Sequence, residues 1–178
     1  MTAPVWIARA ETWSWAEISD DQRYRYALGR RWGDGSLLGW IMLNPSTADA
    51  ETSDQTVNRV VYFSKREGYG GLWVANPFAY RSPSPAALRE AATDGHLGHY
   101  AIGPANDEWI ARMLGEVPAV VLAWGAHGGE KWALPRVRAV HEMARLSGIR
   151  MLCLGTTAGG EPRHPCRLGN AVKLEAMS

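Results

Sequence analysis

Apolar and polar positions along this chain fall into short, alternating blocks. Residues 37–43 are almost uniformly apolar, as are 72–75, 119–123 and 149–154, and each block has the length of a strand covered on both faces. Helical patterns lie between them. Asp54 is placed to cap a helix running to Arg66, with Val57, Val60, Val61 and Ser64 on one face and Gly68 stopping it. Ser84-Pro85 predicts a short helix, with serine as cap and proline in the first turn. Asn106 opens another, with Trp109, Ile110 and Met113 on one side. Residues 131–146 read as a fourth, with Pro135 near its start and Ser147-Gly148 at its end. Residues 23–32 alternate aromatic and basic side chains at period two, as an edge strand does. The turn Gly33-Asp34-Gly35 then predicts a hairpin linking them to 37–43. Trp13, Trp15 and Ile18 stand in a polar context that predicts no firm element.

Strands alternating with helices imply an α/β domain. We expect three layers (α/β/α) around a mostly parallel central sheet with an antiparallel N-terminal addition, as one domain over residues 1–178. With 46% hydrophobic and 21% charged residues, the chain has the make-up of a globular domain with a real core. A net charge of +1 argues against a strong sequence-independent grip on a polyanion, but leaves room for a local basic stripe. Arg9 and Glu11 interrupt the start, where no secretory leader is expected. No apolar run approaches the roughly 20 residues of a membrane span. The expected location is therefore cytoplasmic. Only Cys153 and Cys166 are present, in no cluster spacing, which removes an all-cysteine metal site, and reduced thiols are expected. Trp13, Trp15 and Trp32 each need a partner or a ligand to cover them.

Three apolar blocks lead to a polar residue followed directly by proline: Asn44-Pro45, Asn76-Pro77 and, after a Gly/Thr-rich loop, His164-Pro165. Proline confines the preceding residue to extended geometry, so these two amides and one imidazole should be held with little freedom. In open α/β sheets ligands bind outside the carboxyl ends of the strands. That rule selects four loops, residues 44–54, 76–81, 124–130 and 155–167, which hold most of the Asn, Thr, His and Gly suited to chemistry.

Each candidate has a plainer structural alternative. Asn44, Ser46, Thr47 and Asp49 are also the residues of a turn and helix cap. An asparagine takes no proton, but its carbonyl can hold a water, which suffices where the leaving group departs first. Asn76 offers one acceptor and two donors, a match for the edge of a pyrimidine, or it is a turn residue. Phe78 and Tyr80 either stack on a base or fill the core, and Arg81 meets a phosphate or solvent. His164 could donate to negative charge growing on a departing group. His127, beside Gly125, is a weaker candidate in what reads equally as a turn. His96 and His99 form a pair with no obvious third metal ligand, and no cofactor is expected. Asp49, Glu51 and Asp54 stand as acids against a helix dipole, as a general base, or as Mg²⁺ ligands. No P-loop, dinucleotide fingerprint or nucleophile elbow is present.

The blocks W-I-M-L-N-P-S-T-A-D and G-Y-G-G-L-W-V-A-N-P-F-A-Y-R closely resemble an uncharacterised bacterial and phage domain family of unknown function. More remotely, the order of motifs resembles the uracil-DNA glycosylase superfamily. Leu43-Asn44-Pro45 is similar to the first motif of its mismatch-specific branch. Asn76 matches the asparagine that reads the pyrimidine, residues 120–126 resemble the third strand and glycine turn, and His164-Pro165-Cys166-Arg167-Leu168 looks like the last motif. Met42 and Ser46 replace the glycines around Asn-Pro, and Cys166 and Arg167 replace serine and proline. The resemblance implies a flipped nucleotide in the pocket, with Asn76 on the base edge, His164 on the leaving base and Asn44 positioning water, and with Pro45, Ser46, Thr47, Gly125 and Thr156 around the substrate. The strand over residues 23–31, with Arg163 and Arg167, would contact phosphates, and Leu168 would intercalate. DNA is then the expected partner and hydrolysis of an N-glycosidic bond the expected reaction. Rival expectations are a Mg²⁺-dependent enzyme on free nucleotides, a non-catalytic base-binding module, and a protein-interaction domain with a tryptophan surface.

Overall fold

The computed structural model describes residues 7–9, 12–94 and 100–177. Its strands are β1 (Ile7–Arg9), β2 (Thr12–Ile18), β3 (Arg25–Arg31), β4 (Leu37–Ile41), β5 (Gly71–Ala75), β6 (Ala119–Leu122), β7 (Arg150–Cys153) and β8 (Glu175–Ala176). Its helices are α1 (Gln55–Arg66), α2 (Pro85–Thr93), α3 (Asn106–Glu116) and α4 (Leu134–Leu146). The eight strands form one sheet in the order β1-β2-β3-β5-β4-β6-β7-β8. The four central strands β5, β4, β6 and β7 run parallel, and antiparallel strands flank them on both sides. The molecule is thus α/β with a mixed sheet, and the antiparallel N-terminal addition is present. Among the described residues no helix is long and apolar enough to cross a membrane.

The helix signals act as the local chemistry predicts. Asp54 caps α1 by accepting the Val57 N–H at 2.8 Å, and Gly68 leaves the helix at φ 81°. Ser84 caps α2 through the Ala87 N–H at 3.4 Å. The fourth helix begins at Leu134, three residues later than its pattern suggests, because Ala133 and Leu134 both donate backward to the Glu130 carbonyl in a preceding turn.

Successive strand residues alternate between two apolar clusters. Leu38, Trp40, Leu72, Val74 and Val121 pack with Val57, Val60 and Phe63 of α1. Ile41, Trp73, Val120 and Leu122 pack instead with Leu88 of α2, Trp109, Ile110 and Met113 of α3, and Val137 and Val140 of α4. Each fully buried large side chain contributes about 1.5–3 kcal/mol of apolar transfer. Trp15, in β2, belongs to the second cluster and meets Trp73 edge-on at 5.1 Å. Trp32 gives its indole N–H to the Tyr69 carbonyl at 2.8 Å and lies under the Lys65 ammonium, whereas Trp13 stays 41% exposed. Two of the three tryptophans are therefore covered by protein.

Two expectations are corrected. The segment 23–32 is not an edge strand: β2 and β5 pair with β3 on its two sides. Nor does the turn at 33–35 close a hairpin, because β5 lies between β3 and β4. The physical reason is at Gly70. Trp32 and Gly33 both donate to its carbonyl, its own N–H donates to Ser36, and a Cβ there would stand 2.4 Å from the Gly35 nitrogen. The loop 32–36 therefore steps across the entry of β5 at a contact only glycines permit.

Candidate functional site

The chain leaves β4 through α1 to β5 on one side, and the return from β5 through α2 and α3 reaches β6 on the other side of β4. Such a switch point opens a crevice at the carboxyl ends of the diverging strands. A cavity of about 490 Å³ lies there, lined by Leu43, Asn44, Ser46, Thr56, Ser82, Pro83, Pro85, Trp124, Gly125, Ala126, His127, His164, Cys166 and Arg167. Its size is ordinary for a small-molecule site. The loops after β4, β6 and β7 all contribute, as the strand-end rule anticipates.

Asn44 is half-buried, and its amide nitrogen donates to the carbonyls of Ser82 at 2.8 Å and Pro45 at 3.0 Å. Carbonyls only accept, so these contacts fix which end of the amide is nitrogen. The acceptor oxygen is the end not committed to them. His164 is fixed just as fully. Its Nδ1 accepts the Cys166 backbone N–H at 3.3 Å, which leaves Nε2 to carry the hydrogen of the neutral ring. Burial pushes the imidazole below its usual pKa of 6.5, and the charge of Asp54 only partly opposes this. At neutral pH His164 is therefore an uncharged Nε2–H donor.

Gly125 brings the loop after β6 against this histidine. It holds φ 75°, and a Cβ on it would stand 3.1 Å from the His164 Cβ. Trp124 is 4% exposed, gives its indole N–H to Glu161 at 2.6 Å and is backed by Gly128, where a Cβ would collide with the ring at 2.1 Å. Together with Pro83 and Pro85 it gives the cavity flat apolar surface.

Of the residues singled out from sequence, Asn44, Ser46, Gly125, His127, His164 and Arg167 line this cavity. The others do not, for identifiable reasons. Asn76 is 1% exposed: its nitrogen donates to the Met42 carbonyl at 2.7 Å and its oxygen accepts from Arg25 at 3.4 Å. It is a strut behind the site, with no free edge for a base. Phe78 is 2% exposed and packs against Trp132 at 5.5 Å. Tyr80 faces a separate hollow with Tyr100, and Arg81 donates to Gln22. Pro45 is buried and gives its carbonyl to Ser82, while Thr47 is exposed and does not line this cavity. Asp49 accepts the backbone N–H groups of Glu51 and Thr52 at 2.8 and 2.7 Å. Partial burial alone would raise its pKa, but those N–H groups and the charges of Arg81 and Arg30 hold it below the ordinary carboxylate range. Asp49 therefore shapes its loop. Asp54 caps a helix, so two of the three acids have backbone work.

Thr156 is exposed in a bridge to Pro162, and Arg163 donates its N–H to Gly155 away from the cavity. Leu168 packs on the α1-side cluster and cannot intercalate from there. Of the basic strand, Arg23 is exposed beside Asp21, but its two central arginines turn inward. Arg25 and Arg30 are 3% and 8% exposed, and Arg30 binds the carbonyls of Gly29, Asp49 and Thr52. His96 and His99 lie outside the described residues.

Lining residues not named as site candidates are Leu43, Thr56, Ser82, Pro83, Pro85, Trp124, Ala126 and Cys166, and Arg25, expected only at phosphates, lies beneath the cavity. The doubled Ser-Pro at 82–85 carried the same signal as the other X-Pro steps. The inward turn of Arg25 had none.

No curated protein and no solved structure matches this chain. A family model described as a protein of unknown function, DUF1643, matches residues 25–166, a span that contains every residue lining the cavity except Arg167, and the chain belongs to that family.

Proposed function

We propose that the cavity receives a nucleotide flipped from DNA and that the protein hydrolyses its N-glycosidic bond. One observation carries this reading: Asn44 and His164, each with a single orientation, share a cavity large enough for a nucleotide. In this mechanism the C1′–N bond breaks first, and its electron pair leaves with the base. The His164 Nε2–H donates to the developing negative charge, and a neutral donor is suited to this because it need not give up its proton. A water on the Asn44 carbonyl then adds to the cation-like C1′, and its proton passes to the departed base or to solvent. Trp124 and the prolines supply flat surface for the ring, and Arg167, exposed at the mouth, is placed for a phosphate. The two clusters on the faces of the sheet favour the finer three-layer architecture resembling uracil-DNA glycosylases. The base-reading role of Asn76 forms no part of this proposal.

A second reading is favoured by a specific feature. Among its described lining residues the main cavity has no carboxylate, as suits a module that binds a base without cleaving it. Oligonucleotides carrying uracil, mismatched thymine and modified pyrimidines, analysed by mass spectrometry for released base, separate the two. We expect release by the wild type and a fall of about 100- to 1,000-fold in His164→Ala. Tight binding without release, unchanged in Asn44→Ala, establishes the binding module and ends the hydrolase reading.

A further inference from the structure

Beneath the main cavity lies a smaller recess of about 40 Å³, whose lining includes Arg25, Asn44, Ser46, Asp54, Thr56 and His164. It has room for a few atoms and not for a ring. Arg25 enters it from the start of β3, 3% exposed. One terminal nitrogen donates to the Ala48 carbonyl at 2.9 Å and the other to Asn76 at 3.4 Å. Its Nε–H is buried with no hydrogen-bond partner, and among the described residues no carboxylate pairs with the guanidinium.

A buried cation with an orphaned donor and no carboxylate within ion-pair distance among the described residues is an expensive arrangement. Burial draws the guanidinium pKa down to about 10, with Asp54 opposing. The other charges facing the recess are few. Asp54 is negative, but one of its oxygens is engaged by the Val57 N–H. The neutral His164 adds a donor. The N-terminus of α1, which supplies Thr56 and Val57 to the lining, adds about half a positive charge. The balance is positive and donor-rich, which suits one negatively charged oxygen.

We propose that this recess is an oxyanion subsite, in which the Arg25 Nε–H and the His164 N–H hold one anionic oxygen of the ligand. On the hydrolase reading this is the oxygen of the departing pyrimidine, and Arg25 takes the place beside the base that Asn76 cannot occupy. That identification rests on the reading above, whereas the subsite does not.

Titration calorimetry of the intact protein tests it with three probes: barbiturate (a pyrimidine anionic at pH 7), uracil (its neutral counterpart) and inorganic phosphate. Barbiturate is expected to bind about tenfold tighter than uracil, the scale of one hydrogen bond to a charged group. Arg25→Gln abolishes that preference and changes uracil binding little, while Arg25→Lys retains part of it. Because Arg25 also braces Ala48 and Asn76, Ser46→Asp serves as a second variant, placing a like charge at the recess lip without touching those contacts. It too is expected to remove the preference. Phosphate that competes with barbiturate and depends on Arg25 also upholds the subsite, and assigns the oxygen to a phosphate. Equal affinity for barbiturate and uracil with no phosphate binding, or a preference that survives both Arg25→Gln and Ser46→Asp, overturns it. Arg25-dependent binding without base release leaves the subsite standing and removes the hydrolase reading alone.

Discussion

Asn44 and Asn76 occupy the same sequence pattern: each follows an apolar strand and precedes a proline. The fold gives them opposite work. Asn44 follows β4, beside which the connections diverge, so its loop borders open space and only its nitrogen is committed to the backbone. Asn76 follows β5, between β3 and β4, where α3 closes over it. Asn106 of that helix donates to the carbonyls of both Asn76 and Pro77 at 2.9 Å, and Met42 and Arg25 take the Asn76 side chain. An X-Pro step thus fixes a side chain in space, while the strand's place in the sheet order decides whether solvent or protein meets it.

The sharpest way to break this contrast is to truncate both amides. Asn76→Ala leaves the Met42 carbonyl and an Arg25 nitrogen unpaired in the interior, and should lower unfolding stability by about 3 kcal/mol in urea titrations. Asn44→Ala should lose only about 1 kcal/mol of stability, but about 100-fold in base release if its carbonyl holds the water. Equal stability losses in the two variants would show that Asn44 is a strut as well. Gly125→Ala forces a Cβ to within 3.1 Å of His164 at a positive φ, and should cost about 1–2 kcal/mol together with part of the activity. The pH dependence probes His164 itself. Its folded pKa lies below the unfolded value, so the unfolded chain binds the proton more readily. The resulting stability is complete above 6.5 and is lost as the pH falls through the folded value. His164→Gln should therefore flatten the acid limb of the stability profile below pH 6.5. Asp49→Asn should matter least, costing about 0.5 kcal/mol from its loop and leaving base release unchanged.

Much of the molecule could be read from local signals. The caps at Asp54 and Ser84, the stop at Gly68 and the buried parallel strands are decided within a few residues of chain, and they appear in the structure at or near their predicted bounds. Apart from the late start of α4, the errors are of long range. The period-two pattern of β3 looked exposed on one face because arginines are normally solvated. Arg25 and Arg30 instead reach carbonyls of the loop at 48–52, which no local pattern announces. β8 pairs with β7 across more than twenty intervening residues and is two residues long, too short for any periodicity. The candidate site was found for its loops and missed for its floor, since nothing near Arg25 in sequence marks it as facing His164.

The glycine contact between Gly35 and Gly70 also bears on how the chain assembles. β3 and β4 are joined by five residues, yet the strand between them arrives only after α1 has been made. A premature ribbon of β3 on β4 would bury the slot that β5 must enter, and would have to come apart before the native ladder could form. Early docking of α1 and β5 onto β4 avoids that trap, so refolding speed should depend on the α1–β5 connection more than on the tight turn preceding β4.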